Sequence, residues 1–112
     1  MSELGARSFD EPDQTMSFDN GKADIANVGE QTIVRSTFKP GWRWSESVKK
    51  LVGTESCQTH HVGYAISGHL HVRTDDGSEQ DIVAGDAYTI PPGHDGWVLG
   101  DEVFVSVEVR MP

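Results

Sequence analysis

The sequence predicts an all-β domain, and three observations carry that prediction. From Gly21 onward the chain breaks into short runs rich in β-branched and aromatic residues, the composition of strands. Turn residues recur about every ten positions, which is the rhythm of a sandwich or barrel. No apolar stripe is long enough to build the crossover helices of a parallel sheet.

Residues 2–19 mix Asp, Glu, Pro and Ser with the isolated apolar residues Phe9, Met16 and Phe18. They read as an arm laid over a surface, so residues 1–20 are taken as an N-terminal arm and 21–112 as the folded domain. Strands are expected over 22–28 and 31–38, joined by the turn Gly29-Glu30 and stopped by Pro40-Gly41. Residues 45–52 have room for one short helical turn with Ser45 as its cap. Further strands are expected over 59–67 and 68–74, then 79–83 after the hairpin signal Asp76-Gly77, and 87–90 after the turn at Gly85. The corner Pro91-Pro92-Gly93 precedes strands over 97–99 and 103–109. In the last of these Val103, Val105, Val107 and Val109 alternate with Phe104, Ser106, Glu108 and Arg110, the period of a half-buried strand.

A mass of 12.3 kDa fits one domain, whose core buries roughly two-thirds of the unfolded surface. So small a core, the apolar run 103–109 and the arm together lead us to expect a homodimer. Nine Lys and Arg against eighteen Asp and Glu give a formal net charge of −9. That balance argues against nucleic acid and against an anionic membrane surface, both of which call for cationic side chains. Cys57 is the sole cysteine, so no intrachain disulfide forms and a reducing compartment is expected. With no secretory-type apolar segment at the N-terminus and no run approaching the ~20 residues of a membrane helix, a cytoplasmic protein is expected.

The second half carries a recognisable pattern. Gly85, Pro91 and Gly93 stand at the spacing of a glycine, five residues, a proline, one residue and a glycine. On these residues the stretch 38–109 resembles the cupin family, and the resemblance implies a small double-stranded β-helix, or jelly-roll, barrel that often holds a metal. The family's next histidine position falls on Gly96 here, and His94 stands two residues earlier. The family's first motif, two histidines one residue apart and then a glutamate, admits two alignments. Anchored on Gly68, it places Glu55, Cys57 and His61 at those positions. Anchored on Pro40-Gly41, it places Ser47 and Lys49 at the histidines and an insertion of about eight residues before His61.

His61 and His94 are therefore the candidate metal ligands, with Cys57 or Glu46 as a third. Imidazole suits Zn, Fe or Ni, and a thiolate binds soft metals tightly. Against this, Val62, Tyr64 and Ile66 form an apolar set whose alternation would aim His61 away from the core. His94 could equally be a loop histidine bonded to Asp95, Cys57 a small buried hydrophobe, and Glu46 a solvated charge. His60 points opposite to His61. His69 and His71 share a face with Arg73, opposite the apolar Leu70 and Val72, and are expected at the surface. Trp42, Trp44, Tyr64 and Trp97 are candidate flat walls of a pocket, or simply core.

Neither a nucleophile–base pair nor a phosphate loop is legible. The expected function is a barrel that binds a small organic molecule, with a histidine-held divalent transition metal (Zn, Fe, Ni or Mn). The alternative is a metal-free binding or sensor barrel without catalysis.

Overall fold

A computed structural model describes residues 4–110. Two antiparallel sheets face one another. The larger contains β1 (Gln14–Phe18), β2 (Gly21–Val28), β3 (Gln31–Phe38), β9 (Phe104–Val109), β4 (His61–Ser67) and β7 (Ala87–Ile90), in that order. The smaller places β5 (His69–Thr74) between β6 (Glu79–Val83) and β8 (His94–Val98). Between β3 and β4 lie two single-turn helices, α1 (Trp44–Ser47) and α2 (Lys49–Val52). Buried Trp42, Trp44, Leu70, Val72, Ile82, Ile90 and Phe104 form the core between the sheets. The architecture is all-β, as the turn rhythm predicts, and of the jelly-roll type that the resemblance implies. Among the described residues no helix is long and apolar enough to cross a membrane.

Three local expectations need correction. The segment 1–20, read as an arm, contributes edge strand β1, which pairs with β2 from Gln14↔Ile25 to Phe18↔Gly21. Its Met16 and Phe18 pack against the core, so these two isolated apolar residues were a strand's inward face. The helical turn near Ser45 is capped at Arg43, with no side-chain cap, because the chain enters extended at that residue. The last strand before Gly100 begins at His94 instead of residue 97, since Gly93 at φ 88° turns the chain straight into pairing with β5.

Residues ahead of β1 do lie over a surface. Asp24 on β2 is only 1 % exposed and faces outward from the large sheet. Arg35 of β3 donates to it from Nη2 at 2.9 Å and from Nε at 3.3 Å, and Thr15 Oγ1 donates at 2.9 Å. The Arg35 guanidinium also sits 5.3 Å from the Phe9 ring centroid and donates to the Phe9 carbonyl, which ties the arm down over the pair. Burial alone would raise the Asp24 carboxyl, but the Arg35 and Thr15 hydrogen bonds outweigh it and hold it below its ordinary 3.8. A depressed carboxylate stabilises the fold fully above its unfolded value and loses that contribution as pH falls through the folded value. Asp24→Ala, which strands a partly buried guanidinium, is expected to cost about 3 kcal/mol in urea unfolding. The deficit against wild type should shrink below pH 4 as the native carboxylate protonates.

Candidate metal centre

Strand parity decides which side chains reach the interior. On β4, Ala65 is completely buried while Tyr64 and Ile66 are each 51 % exposed, so His61, Gly63 and Ala65 form the inward set. The small and polar alternates face in, and the apolar Tyr64 and Ile66 face out. On β9 Phe104 and Ser106 are buried and Glu108 follows them inward. On β8, His94, Gly96 and Val98 are buried. His94 is thus a strand residue, 4 % exposed, and no loop histidine.

Cys57 reaches the same place from the irregular segment after α2. Its N–H donates to the His94 carbonyl at 2.7 Å, and the Gly93 N–H donates back to the Cys57 carbonyl at 2.7 Å. This isolated bridge sets the thiol beside both imidazoles. The coordinating atoms of Cys57, His61 and His94 all lie within 4.8 Å of one another. The two rings stand 5.1 Å apart at 69°. Of the two first-motif alignments, the one anchored on Gly68 puts Cys57 and His61 at the right positions. Its Glu55 is exposed and pairs with Lys49 instead.

Each imidazole is oriented by a second partner. His94 Nδ1 donates to the Pro91 carbonyl at 2.7 Å, which fixes its tautomer and leaves Nε2 free to coordinate. His61 Nδ1 donates to Glu108 Oε1 at 2.6 Å, and its Nε2 faces Cys57 Sγ at 3.6 Å. Glu108 in turn accepts the Tyr88 hydroxyl on Oε2 at 2.5 Å. Glu108 and Tyr88 were not singled out from the sequence, although the Phe104-Ser106-Glu108 alternation contained the signal. Gly63 makes room for them: a Cβ there would meet the Val107 carbonyl oxygen at 2.6 Å, Glu108 Cγ at 2.7 Å and the Tyr88 hydroxyl at 2.9 Å.

The donor set fits a tetrahedral soft or borderline ion. With metal–sulfur and metal–nitrogen bonds of about 2.3 and 2.0–2.1 Å, sulfur and nitrogen sit about 3.6 Å apart. The observed 3.6 Å between Cys57 Sγ and His61 Nε2 meets that requirement without rearrangement. Burial opposes ionisation of the Cys57 thiol, but hydrogen bonds from His61 and His94 overcome it and bring it down to about 6. Burial likewise opposes a charge on His61, while Cys57 and Glu108 raise it to about 9. Without an ion, then, a thiolate and an imidazolium face each other around neutral pH. The structure also aligns a thiol, an imidazole and a carboxylate in series, a nucleophile–base–carboxylate arrangement that the sequence did not reveal.

The centre opens into a cavity of about 310 Å³ between the sheets. Trp42 and Trp44 line it, with Trp42 stacked on Phe38 at 3.8 Å. Tyr64 and Trp97 do not line it, and both expectations are corrected. Tyr64 belongs to the outward set of β4. Trp97 belongs to the outward set of β8, where the Arg43 guanidinium lies 4.1 Å from its ring centroid and His71 4.9 Å. Glu46 is exposed, as is His60, whose Nε2 meets Thr89 Oγ1 at 3.0 Å. His69 and His71 both reach Asp81 on the outer face of the small sheet, at 3.1 and 2.7 Å.

No family model matches this chain, and no curated protein matches it. Solved structures do. A cupin domain from Bordetella pertussis Tohama I is 21 % identical with a TM-score of 0.57, over 87 % of this chain and 98 % of that one. A cupin-like protein from Thermotoga maritima is 17 % identical with a TM-score of 0.60, over 90 % of this chain and 78 % of that one. A protein of unknown function from Rhizobium leguminosarum bv. viciae 3841 is 18 % identical with a TM-score of 0.70, over 99 % of both chains. At these identities the likeness shows the fold: the chain is a small cupin-type barrel.

The thiolate is directly measurable. In metal-free protein its ultraviolet absorbance should titrate with a midpoint of about 6, and His61→Gln should move the midpoint up toward the ordinary 9.0. Gly63→Ala should displace the Glu108–Tyr88 pair and destabilise the fold by about 1–3 kcal/mol, the usual cost of overpacking. Thermal unfolding of the two proteins side by side checks this.

Proposed function

We propose that this protein is a metal-dependent cupin barrel that binds a small organic molecule beside an ion held by Cys57, His61 and His94. The observation that carries the reading is the convergence of three ligand atoms within 4.8 Å, each imidazole already oriented by a partner on its other nitrogen. Two nitrogens and a thiolate suit zinc best, with iron and nickel next. Manganese, which prefers oxygen ligands, fits least. Three protein ligands would leave a fourth position to water or substrate, the pattern of catalytic and not structural zinc sites. When bound, such an ion supplies a Lewis acid, while Glu108 and Tyr88 hold the proton inventory behind His61. A thiolate ligand also fits a reducing, cytoplasmic setting.

Metal content after purification without nickel resin tests the reading, with about one ion per chain expected. His61→Ala, His94→Ala and Cys57→Ser should each lose it, while His69→Ala on the outer face should keep it. Because His61 carries a proton up to about pH 9 in the metal-free centre, zinc must displace that proton. Apparent zinc affinity should therefore rise about tenfold per pH unit from pH 7 to 9. A flat pH profile, or full metal content in all three ligand variants, overturns the reading. It would leave the metal-free binding barrel, which the direct Cys57–His61 contact favours.

The same reading takes the protein as a homodimer. Tyr64 and Ile66 are half exposed on the outer face of the large sheet, next to the half-buried Val105 and Val107. An apolar sheet face of this kind is what a second copy would cover. Sedimentation at micromolar concentration should give twice the monomer mass, and Tyr64→Glu should return it to 12.3 kDa.

A further inference from the structure

The centre without an ion is an assembled nucleophile. Cys57 Sγ lies 3.6 Å from His61 Nε2, the ring nitrogen placed to take the thiol proton. The other nitrogen of that ring donates to Glu108, which also accepts the Tyr88 hydroxyl. Thiol, base and orienting carboxylate in series are what activation of a cysteine nucleophile requires. His94 brings a second imidazole to the same point. The thiol thus stands within a cluster of polar side chains, and no step of the metal-dependent reading uses it as a nucleophile.

The cluster opens on room that fits an apolar molecule. Cys57, His61, His94 and Glu108 all line the cavity of about 310 Å³, and 22 % of the His61 side chain remains exposed. On β8 the next inward residue after His94 is Gly96, where an added Cβ would meet nothing closer than 3.5 Å. Space is therefore left beside the imidazoles. Leu70, Val72 and Phe104 stand around the cavity. Its lining residues Val52 and Val109 are 50 % and 44 % exposed, which gives the opening an apolar rim. Outside the cluster and Tyr88, the titratable side chains of the lining are His60 and Arg110, both exposed.

We propose that, in the metal-free centre, Cys57 adds covalently to an uncharged, largely apolar α,β-unsaturated carbonyl compound that enters this cavity. Sγ forms a bond to the β-carbon, and the π electrons of the carbon–carbon double bond move to the carbonyl as an enolate. The proton that left Sγ for His61 Nε2 then passes to the α-carbon. Nothing leaves and nothing is oxidised, so the product is the thioether of the whole molecule. A zinc ion held by Cys57 and His61 would occupy the same sulfur and nitrogen atoms, so ion and electrophile compete for the centre. The activity goes beyond the function proposed above and stands if that reading fails.

Phenyl vinyl ketone is the probe, and intact-mass and peptide mass spectrometry of the full chain after chelation read the adduct. Metal-free protein should gain one whole probe on Cys57, and Cys57→Ser should gain none there. The same chain unfolded in guanidinium chloride gives the reactivity of the thiol outside the site. The folded protein should react about tenfold faster than that, although its thiol is buried. His61→Gln removes the base and should slow addition about a hundredfold. The para-carboxylate of the probe, each rate normalised to that of N-acetylcysteine, should react about tenfold more slowly than the neutral ketone, because its charge must leave water. No adduct at Cys57, a folded protein slower than the unfolded one, or an unchanged rate in His61→Gln overturns the proposal, as does equal reaction of the neutral and charged probes. Should His61→Gln lose its fold, the comparison of folded and unfolded wild type decides alone. Zinc at one equivalent should block addition. Undiminished addition with no zinc retained supports the proposal and counts against the metal reading alone.

Discussion

The three backbone hydrogen bonds between Cys57 and the Gly93–His94 corner are the contact on which the site depends. His61 and His94 would lie near each other in any barrel of this topology, because β4 and β8 begin at the same end of the cavity. Cys57 belongs to no strand. Only the short bridge brings it out of the irregular segment before β4 and holds its thiol between the rings. The bridge in turn requires the left-handed turn at Gly93, where the φ of 88° is strained for any residue with a side chain. Electrostatics then follows from geometry. Once the thiol is held there, the imidazoles draw its proton off, and Glu108 shares the charge that His61 gains.

The interior is built against the simplest reading of hydrophobic alternation. On β4 the larger apolar residues Tyr64 and Ile66 face outward while His61, Gly63 and Ala65 face in, and on β9 Ser106 and Glu108 join Phe104 on the inner side. That arrangement costs core stability locally, since polar groups gain little from burial unless they are hydrogen-bonded. The chain compensates by linking them: His61 to Glu108, Glu108 to Tyr88, Cys57 to His61. The aromatic cluster of Phe18, Phe38, Trp42 and Phe104 supplies apolar burial at the other wall of the same cavity. One face of the barrel thus holds it together while the other carries the Cys57–His61–His94 cluster.

How much of this was legible beforehand differs by residue. Gly85, Pro91 and Gly93 announced the barrel corner, and the corner is where they placed it. His61, His94 and Cys57 were nameable because histidine and cysteine are chemically conspicuous. Their convergence depends on a backbone bridge with no sequence signature. Tyr64 and Trp97 were misread because alternation gives two sets and does not say which faces in. On β4 the pocket-facing set is the small and polar one, so the apolar set is the outer one. Glu108 escaped notice for the same reason, and β1 because an edge strand flanked by acidic residues needs only two inward apolar side chains.

The position of His94 has a further consequence. It stands two residues before the place where the related motif carries its histidine, and that place, Gly96, is buried on the same face of β8. A strand repeats its facing every two residues, so a ligand can step along it by two and still aim into the same cavity. The step displaces the imidazole by about 7 Å along the strand, which another ligand must make up from a different direction. Here the compensating group is a thiol on a neighbouring segment. On the function proposed above, the centre is rebuilt from new donors on an unchanged scaffold, and the spacing between them in the chain then ceases to identify the site.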